Sequence, residues 1–227
     1  MLTVSHVSSG YPGLPVLHDV SLDVSAGELV SILGGNGAGK STLLKTILGD
    51  RPTTSGDITF DGRRITRAPL HRRTAAGISY CPEGRRIFPN LTVEENLVAG
   101  SSGVPGRDVA ARIAAVHELF PLLAERSAQP AGSLSGGEQQ MLAIGRALIP
   151  GPRLLMVEEL SLGLAPIVVT DLYRALRTLC GQGLAVLVAE QFQRFEAKWS
   201  DRWIVLERGT VRAAGTREDA ALLNARS

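Results

Sequence analysis

The sequence predicts an α/β fold with a parallel sheet at its core, an antiparallel β subdomain at its N-terminus and an inserted α-helical lobe. Three observations carry that expectation. A glycine-rich run, GGNGAGKST at residues 34–42, sits between an apolar stretch at 29–33 and a helical pattern with Leu44, Ile47 and Leu48 on one face. Two further apolar runs, 154–157 and 185–189, have the unbroken character of strands buried on both faces. Helical patterns dominate residues 84–149, between the first half of the core and the second.

The glycine-rich run matches G-x-x-x-x-G-K-[ST] in full. Its glycines let successive backbone N–H groups turn inward around a polyanion, and the following helix adds positive potential at its N-terminus. Gly34, Gly35, Asn36, Gly37, Ala38, Gly39, Lys40, Ser41 and Thr42 are therefore candidate nucleoside triphosphate-binding residues. Lys40 reaches the terminal phosphates and the Ser41 hydroxyl can ligate Mg²⁺. The expected architecture is a P-loop NTPase core: one domain over 1–227, with 1–83 and 150–227 forming the core and β subdomain, and 84–149 the helical lobe.

Upstream, residues 2–7 and 16–24 read as strands joined by a loop rich in Gly and Pro. Tyr11, the aromatic of that loop, could stack on a purine ring or simply pack. Downstream of the phosphate loop, Gly49 caps its helix. A strand follows at 57–60, then a turn at Asp61-Gly62, a helix over 69–76 and a strand ending near Cys81. A breaker-rich loop from Pro82 carries Glu83, Arg85, Arg86 and Phe88. Thr92 and Glu95 form a capping box that starts a helix near Val93. After a linker at 100–106, Val109, Ile113, Val116 and Phe120 share a helical face.

LSGGEQQ at 134–140 opens the next helix, with Ser135, Gly136 and Gly137 at an N-terminus that favours an anion, and Met141, Ile144 and Leu148 as its apolar face. The strand at 154–157 ends in Glu158-Glu159. Paired carboxylates at the carboxyl end of a buried strand lie where α/β proteins bind ligands, and a phosphate-loop protein needs one near Mg²⁺. A helix bearing Val168, Val169, Leu172, Leu176 and Leu179 ends at Gly181 and Gly183. The strand at 185–189 precedes Glu190-Gln191, and a hairpin closes around Arg208-Gly209.

Composition sets the outer limits. The 227 residues are 44% hydrophobic and 20% charged with a net charge of +2, so there is no electrostatic case for nucleic acid. Cys81 and Cys180 are too few for a disulfide framework and read as reduced core thiols. There is no basic-then-apolar leader and no apolar run of membrane-spanning length. The short tail after residue 214 argues against an appended regulatory domain. Attachment to a membrane would go through a partner.

GGNGAGKST, LSGGEQQ and LLMVEE (154–159), in that order, resemble the nucleotide-binding subunits of ABC transporters along essentially the whole chain. Residues 80–96 (YCPEGRRIFPNLTVEEN), 161–166 (SLGLAP) and the pair Glu190-Gln191 are similar to the LivF-type ATP-binding proteins of branched-chain amino-acid importers. The resemblance implies two nucleotide-binding subunits facing head to tail around two ATP molecules. Ser135, Gly136, Gly137 and Glu138 of one subunit would meet the γ-phosphate held by Lys40 of the other. It implies that Tyr11 stacks on adenine, that Glu83 senses Mg²⁺ and the membrane subunit, that Glu158 holds the Mg²⁺ shell, and that Glu159 orients the attacking water. Arg85, Arg86 and Phe88 fall where relatives receive a helix of the membrane subunit.

It further implies ATP and Mg²⁺ as cofactors and a place at the cytoplasmic, inner face of the cell membrane. The implied partners are transmembrane permease subunits, a second ATP-binding subunit (a homodimer or a heterodimer) and, indirectly, an external solute-binding protein. The alternatives are the motor of another ABC system, such as urea import or lipid-linked export, and a regulatory nucleotide switch with weak hydrolysis.

Four positions depart from the superfamily pattern. Glu158 stands for an Asp and displaces its carboxylate by about 1.5 Å, a bond length, against the strict octahedral demand of Mg²⁺. This predicts slow hydrolysis. Leu160 replaces a Pro, and Glu83 replaces a Gln. Gln191 stands where many relatives have a His that touches the γ-phosphate. A Gln amide still donates a hydrogen bond there but carries no charge.

Overall fold

The structure, a computed structural model, describes residues 1–191 and 198–219. Its first sheet is antiparallel, in the order β2-β1-β4-β5, from β1 (Leu2–Tyr11), β2 (Leu14–Val24), β4 (Thr53–Phe60) and β5 (Arg63–Arg64). Its second has six strands in the order β10-β9-β3-β8-β7-β6. These are β3 (Leu29–Leu33), β6 (Ile78–Cys81), β7 (Leu154–Glu158), β8 (Ala185–Glu190), β9 (Arg202–Glu207) and β10 (Thr210–Thr216). All neighbours in the second sheet are parallel except the β9–β10 hairpin.

The second sheet separates two apolar clusters, and strand alternation decides which side chain joins which. Leu154 and Met156 of β7, with Ala185, Leu187 and Ala189 of β8, pack towards Leu43, Leu44 and Ile47 of α1 (Lys40–Leu48). Leu155 and Val157, with Val186 and Val188, pack towards Leu172 and Leu176 of α7 (Pro166–Gly181) and Leu142 and Ile144 of α6 (Gly136–Leu148). Helix α2 (Leu70–Ala75) precedes β6. Helices α3 (Val93–Ala99), α4 (Gly106–Leu119), α5 (Pro121–Glu125) and α6 lie between β6 and β7 in the chain. No helix among the described residues is long and apolar enough to cross a membrane.

The capping box at Thr92 and Glu95 forms as expected: Glu95 N–H donates to the Thr92 hydroxyl, and the Glu95 carboxylate accepts from Thr92 N–H. Both cysteines are free and buried, and burial pushes the Cys81 thiol up to about 12. The turns at Asp61-Gly62 and Arg208-Gly209 have positive φ at both residues, the mirror-image turn that matches strand twist.

Two expectations need correction, the loop before residue 16 and the place of Glu190. The loop placed between residues 7 and 16 is a tight hairpin: pairing continues to Gly10↔Pro15 and Tyr11↔Leu14, so Tyr11 ends a strand. Ladder hydrogen bonds outweigh the breaker composition there, and Gly13 alone supplies the positive φ of the turn. On α6 the expected apolar face holds, with Ile144 buried and Met141 and Leu148, half-buried, packed against the same cluster; Leu142, Ala143 and Gly145 are buried as well. Four neighbouring helices and β6 and β7 enclose α6, so a single 3.6-residue stripe underestimates its buried surface. Glu190 belongs to β8 rather than following it. Beyond residue 214 the chain continues β10 to Thr216, and residues 192–197 and 220–227 lie outside the described residues.

Arg73 fastens α1 in place. It is 2% exposed, and its guanidinium donates to the carbonyls of Thr46 and Ile47 at 2.9 and 2.8 Å, at the end of α1. It also donates to Ala68 and Thr66, at 2.8 and 2.9 Å. Helix carbonyls at that end have no intrahelical donor. Arg73→Met should therefore remove four hydrogen bonds, those to Thr46 and Ile47 buried and those to Thr66 and Ala68 part-buried, at a cost of about 3 kcal/mol. Thermal unfolding should register this as a fall in Tm of about 6–12 °C; an unchanged Tm would show the cap to be dispensable.

Candidate nucleotide site

The site grows from the carboxyl end of β3. All five residues of this strand are buried, as befits a strand covered on both faces. Gly34 N–H donates to the Glu190 carbonyl at 3.2 Å, so the loop leaves the sheet tied to the tip of β8. Gly209 N–H donates to the Ala38 carbonyl at 2.9 Å and anchors the far side of the loop. Gly39 is the N-cap of α1 with φ 106°, and a Cβ there would lie 2.9 Å from a Leu17 methyl. Conformation and space both demand glycine at that point. The first helical bond runs from Leu43 N–H to the Gly39 carbonyl. The N–H groups of Lys40, Ser41 and Thr42 thus point out of the helix start with no intrahelical acceptor.

Lys40 is 6% exposed, and its ammonium donates to the Gly34 and Gly35 carbonyls at 2.7 and 3.1 Å. Burial lowers its pKa. The Glu159, Glu190, Glu158 and Glu83 carboxylates oppose that shift, in that order of strength.

The carboxylates at the ends of β7 and β8 diverge. Glu158 continues the face of Leu154 and Met156, is buried at 4% exposure, and accepts from the Tyr80 hydroxyl and from Glu83 N–H at 3.4 Å. Glu159 turns out of the strand with φ 48°, a left-handed conformation rare for a side chain of this kind. Its N–H donates to the Ala189 carbonyl at 2.8 Å, and its Oε1 accepts from the Gln191 amide at 3.3 Å. Glu190 points to the opposite face. It is 2% exposed, and its carboxylate accepts from Ser161 N–H at 3.0 Å and from the Ser161 hydroxyl at 2.9 Å.

One cavity of about 650 Å³ gathers Tyr11, Asn36 to Thr42, Glu83, Glu159 and Gln191, with Val16 and Leu162. Gly34 and Gly35 stand behind it as the loop's anchor, and Glu158 does not line it. Arg51 sits with its guanidinium 4.8 Å from the centre of the Tyr11 ring. The run at 135–138 is elsewhere. Ser135 caps α6, with its hydroxyl accepting from Glu138 N–H at 3.4 Å. The Glu138 carboxylate accepts from Ser135 N–H at 2.8 Å and from Arg126 at 3.0 Å. None of Ser135, Gly136, Gly137 and Glu138 lines a cavity described for this chain.

Sequence reasoning passed over Tyr80 and Arg126, and gave Glu190 no contact. Strand parity places Tyr80 on the face of Glu158, which was readable in principle. The reach of Arg126 to Glu138 was not, because it depends on how α5 meets α6.

The residues present suit a triphosphate with a divalent ion. Among the described residues Lys40 is the one basic side chain lining the cavity, beside the free N–H groups of the first turn. No cluster of three His, Cys, Asp or Glu positioned for a metal exists among the described residues. A divalent ion here would draw on the Ser41 hydroxyl, on single carboxylates and on the phosphates themselves, the usual manner of Mg²⁺.

Comparison with known proteins agrees. Residues 17–161, more than half of the chain, match the family described as ABC transporter. The chain is 45% identical over 211 residues (93% of its length and 91% of the relative's) to the high-affinity branched-chain amino acid transport ATP-binding protein BraG of Pseudomonas aeruginosa. It is 38% identical over 95% of its length to the probable branched-chain amino acid transport ATP-binding protein LivF of Archaeoglobus fulgidus, of which it covers 92%. A dimeric structure of a post-hydrolysis state of an ATP-binding cassette, bound to ADP and Pi, superposes with a TM-score of 0.82 at 25% identity. The superposition covers 96% of this chain and 99% of that one.

Without Lys40 the cavity keeps Glu83 and Glu159 and loses the one basic side chain among its described lining residues. Lys40→Ala should weaken ATP binding in EDTA by at least about 30-fold, the low end for truncating one partner of a buried charge pair. Calorimetric titration measures this; an unchanged affinity would remove Lys40 from the site.

Proposed function

The chain belongs to the ABC transporter family, and we propose that within it this protein is the ATP-hydrolysing subunit that energises import of branched-chain amino acids. The observation that carries the reading is the single cavity that collects Tyr11, the phosphate loop, Glu83, Glu159 and Gln191 while the LSGGEQQ run stays outside it. Such a half-site needs a second subunit to complete it. The relatives' printed roles in branched-chain amino acid transport support the substrate class.

In this reading residues 1–227 form one nucleotide-binding domain, with 1–83 and 150–227 as core and 84–149 as helical lobe. Tyr11 stacks on adenine, with the Arg51 guanidinium held against its ring. Gly34 to Thr42 cradle the phosphates, Lys40 neutralises their charge, and Ser41 ligates Mg²⁺ with help from Glu83 and Glu158. Glu159 accepts a proton from the attacking water and orients it. Gln191 fixes Glu159 through the bond at Oε1 and presents its amide to the γ-phosphate. Ser135, Gly136 and Gly137 cap the γ-phosphate bound by a second ATP-binding subunit, with Glu138 and Arg126 bracing the helix start.

A groove of about 910 Å³ offers the surface for the permease subunits. Leu70, Phe88, Ala99 and Arg146 lie along it, together with Arg85. Phe88 is 49% exposed, with the Arg146 guanidinium 5.1 Å from its ring centre. Arg86 lies beside it, its carbonyl accepting from Arg146 at 2.6 Å. The protein would thus sit at the inner, cytoplasmic face of the membrane and sense an external solute-binding protein only through the permease.

The test is reconstitution with the permease subunits and a second ATP-binding subunit in vesicles. Binding protein loaded with leucine should stimulate ATPase turnover several-fold, and Glu159→Gln should lower turnover by about 10²–10⁴-fold, the share of a general base, while ATP binding persists. Absence of stimulation by any branched-chain amino acid would refute the importer assignment.

A further inference from the structure

Glu158 and Tyr80 form a pair that the cavity does not contain. Tyr80 lies on β6 opposite Met156 of β7 in the parallel register, so Tyr80, Met156 and Glu158 share one face of the sheet. Tyr80 packs against the same apolar cluster as Met156. Its ring leans along the sheet to the next position on that face, where its hydroxyl donates to Glu158 Oε2. Glu83 N–H donates to the same oxygen at 3.4 Å. No described hydrogen bond goes to Oε1. Glu is longer than Asp by one methylene, about 1.5 Å; an Asp at this position would end short of the phenol by about that much.

We propose that Tyr80 is a positioning residue for Mg²⁺: its hydroxyl fixes Oε2 of Glu158 and leaves Oε1 as the one carboxylate oxygen turned to the metal's water shell. The extra methylene of Glu158 and the phenol of Tyr80 are then two halves of one device. A free glutamate at a strand end samples several rotamers, and Mg²⁺ tolerates little departure from octahedral geometry. Anchoring one oxygen removes that freedom, much as outer hydrogen-bond partners orient metal ligands elsewhere. A phenol is protonated at neutral pH and so serves as the donor to the carboxylate. The proposal rests on the reading of Ser41 and Glu158 as holders of Mg²⁺ given above.

The experiment measures binding, not turnover. In a Glu159→Gln background, ATP affinity is titrated calorimetrically against Mg²⁺ and again in EDTA. Tyr80→Phe should raise the half-saturating Mg²⁺ about 10-fold, as loss of an outer partner does, with EDTA affinity and Tm preserved as the sign of an intact fold. In a Glu159→Gln/Glu158→Asp background, where the carboxylate no longer reaches the phenol, adding Tyr80→Phe should change it by less than about twofold. An unchanged half-saturation after Tyr80→Phe, or an equal rise in both backgrounds, overturns the proposal. Should the protein with Tyr80 intact show no Mg²⁺ dependence, the metal reading itself fails, and the proposal fails with it.

Discussion

Neighbouring residues of a strand face opposite ways, and that constraint distributes the charge at the end of this sheet. Four glutamates crowd the tips of β6, β7 and β8. If they shared one direction, mutual repulsion around a single lysine would be severe. Parity instead sends Glu158 towards Tyr80 on the α1 side and Glu190 towards Ser161 on the α7 side. Of these four, Glu159 and Glu83 face the cavity. Glu159 reaches it by leaving the strand geometry altogether, with a left-handed backbone held by the Ala189 carbonyl and the Gln191 amide.

The two apolar clusters give that arrangement its stiffness. Residues of β7 and β8 alternate between them with almost no exposure, so a one-residue slip would exchange the side chains of the two clusters and turn Glu158 and Glu190 to the wrong faces. The phosphate loop inherits this rigidity on both sides, through Gly34 to the tip of β8 and through Ala38 to Gly209, while Arg73 holds the far end of the helix that follows. The helices between β6 and β7 carry the LSGGEQQ run on a separate support. The position of Ser135 is therefore set by helix packing and that of Lys40 by the sheet.

Much of this was legible in residues alone, for physical reasons. Continuous apolar runs identify strands buried on two faces, and a full phosphate-loop match between strand and helix leaves little freedom in geometry. The capping box at Thr92 and the turns at Asp61 and Arg208 are local chemistry and were equally readable. What escaped depends on contacts distant in sequence. Tyr11 was expected in a loop, but cross-strand pairing extends β1 through the glycine and proline positions. The broad buried face of α6 reflects how many elements surround it. Tyr80 sits 78 positions from Glu158, and only the parallel register brings them together.

The tip of β8 has one consequence that reaches beyond its own contacts. Two adjacent side chains, Glu190 and Gln191, grip Ser161 and Glu159, which flank Leu160 in the chain. Leu160 is fully buried, so this three-residue span is pinned at both ends and plugged in the middle. Such a span transmits displacement instead of absorbing it. A small shift at the strand tip is delivered to the carboxylate and to the segment running on into α7 together, like the two pans of a balance hung from one beam.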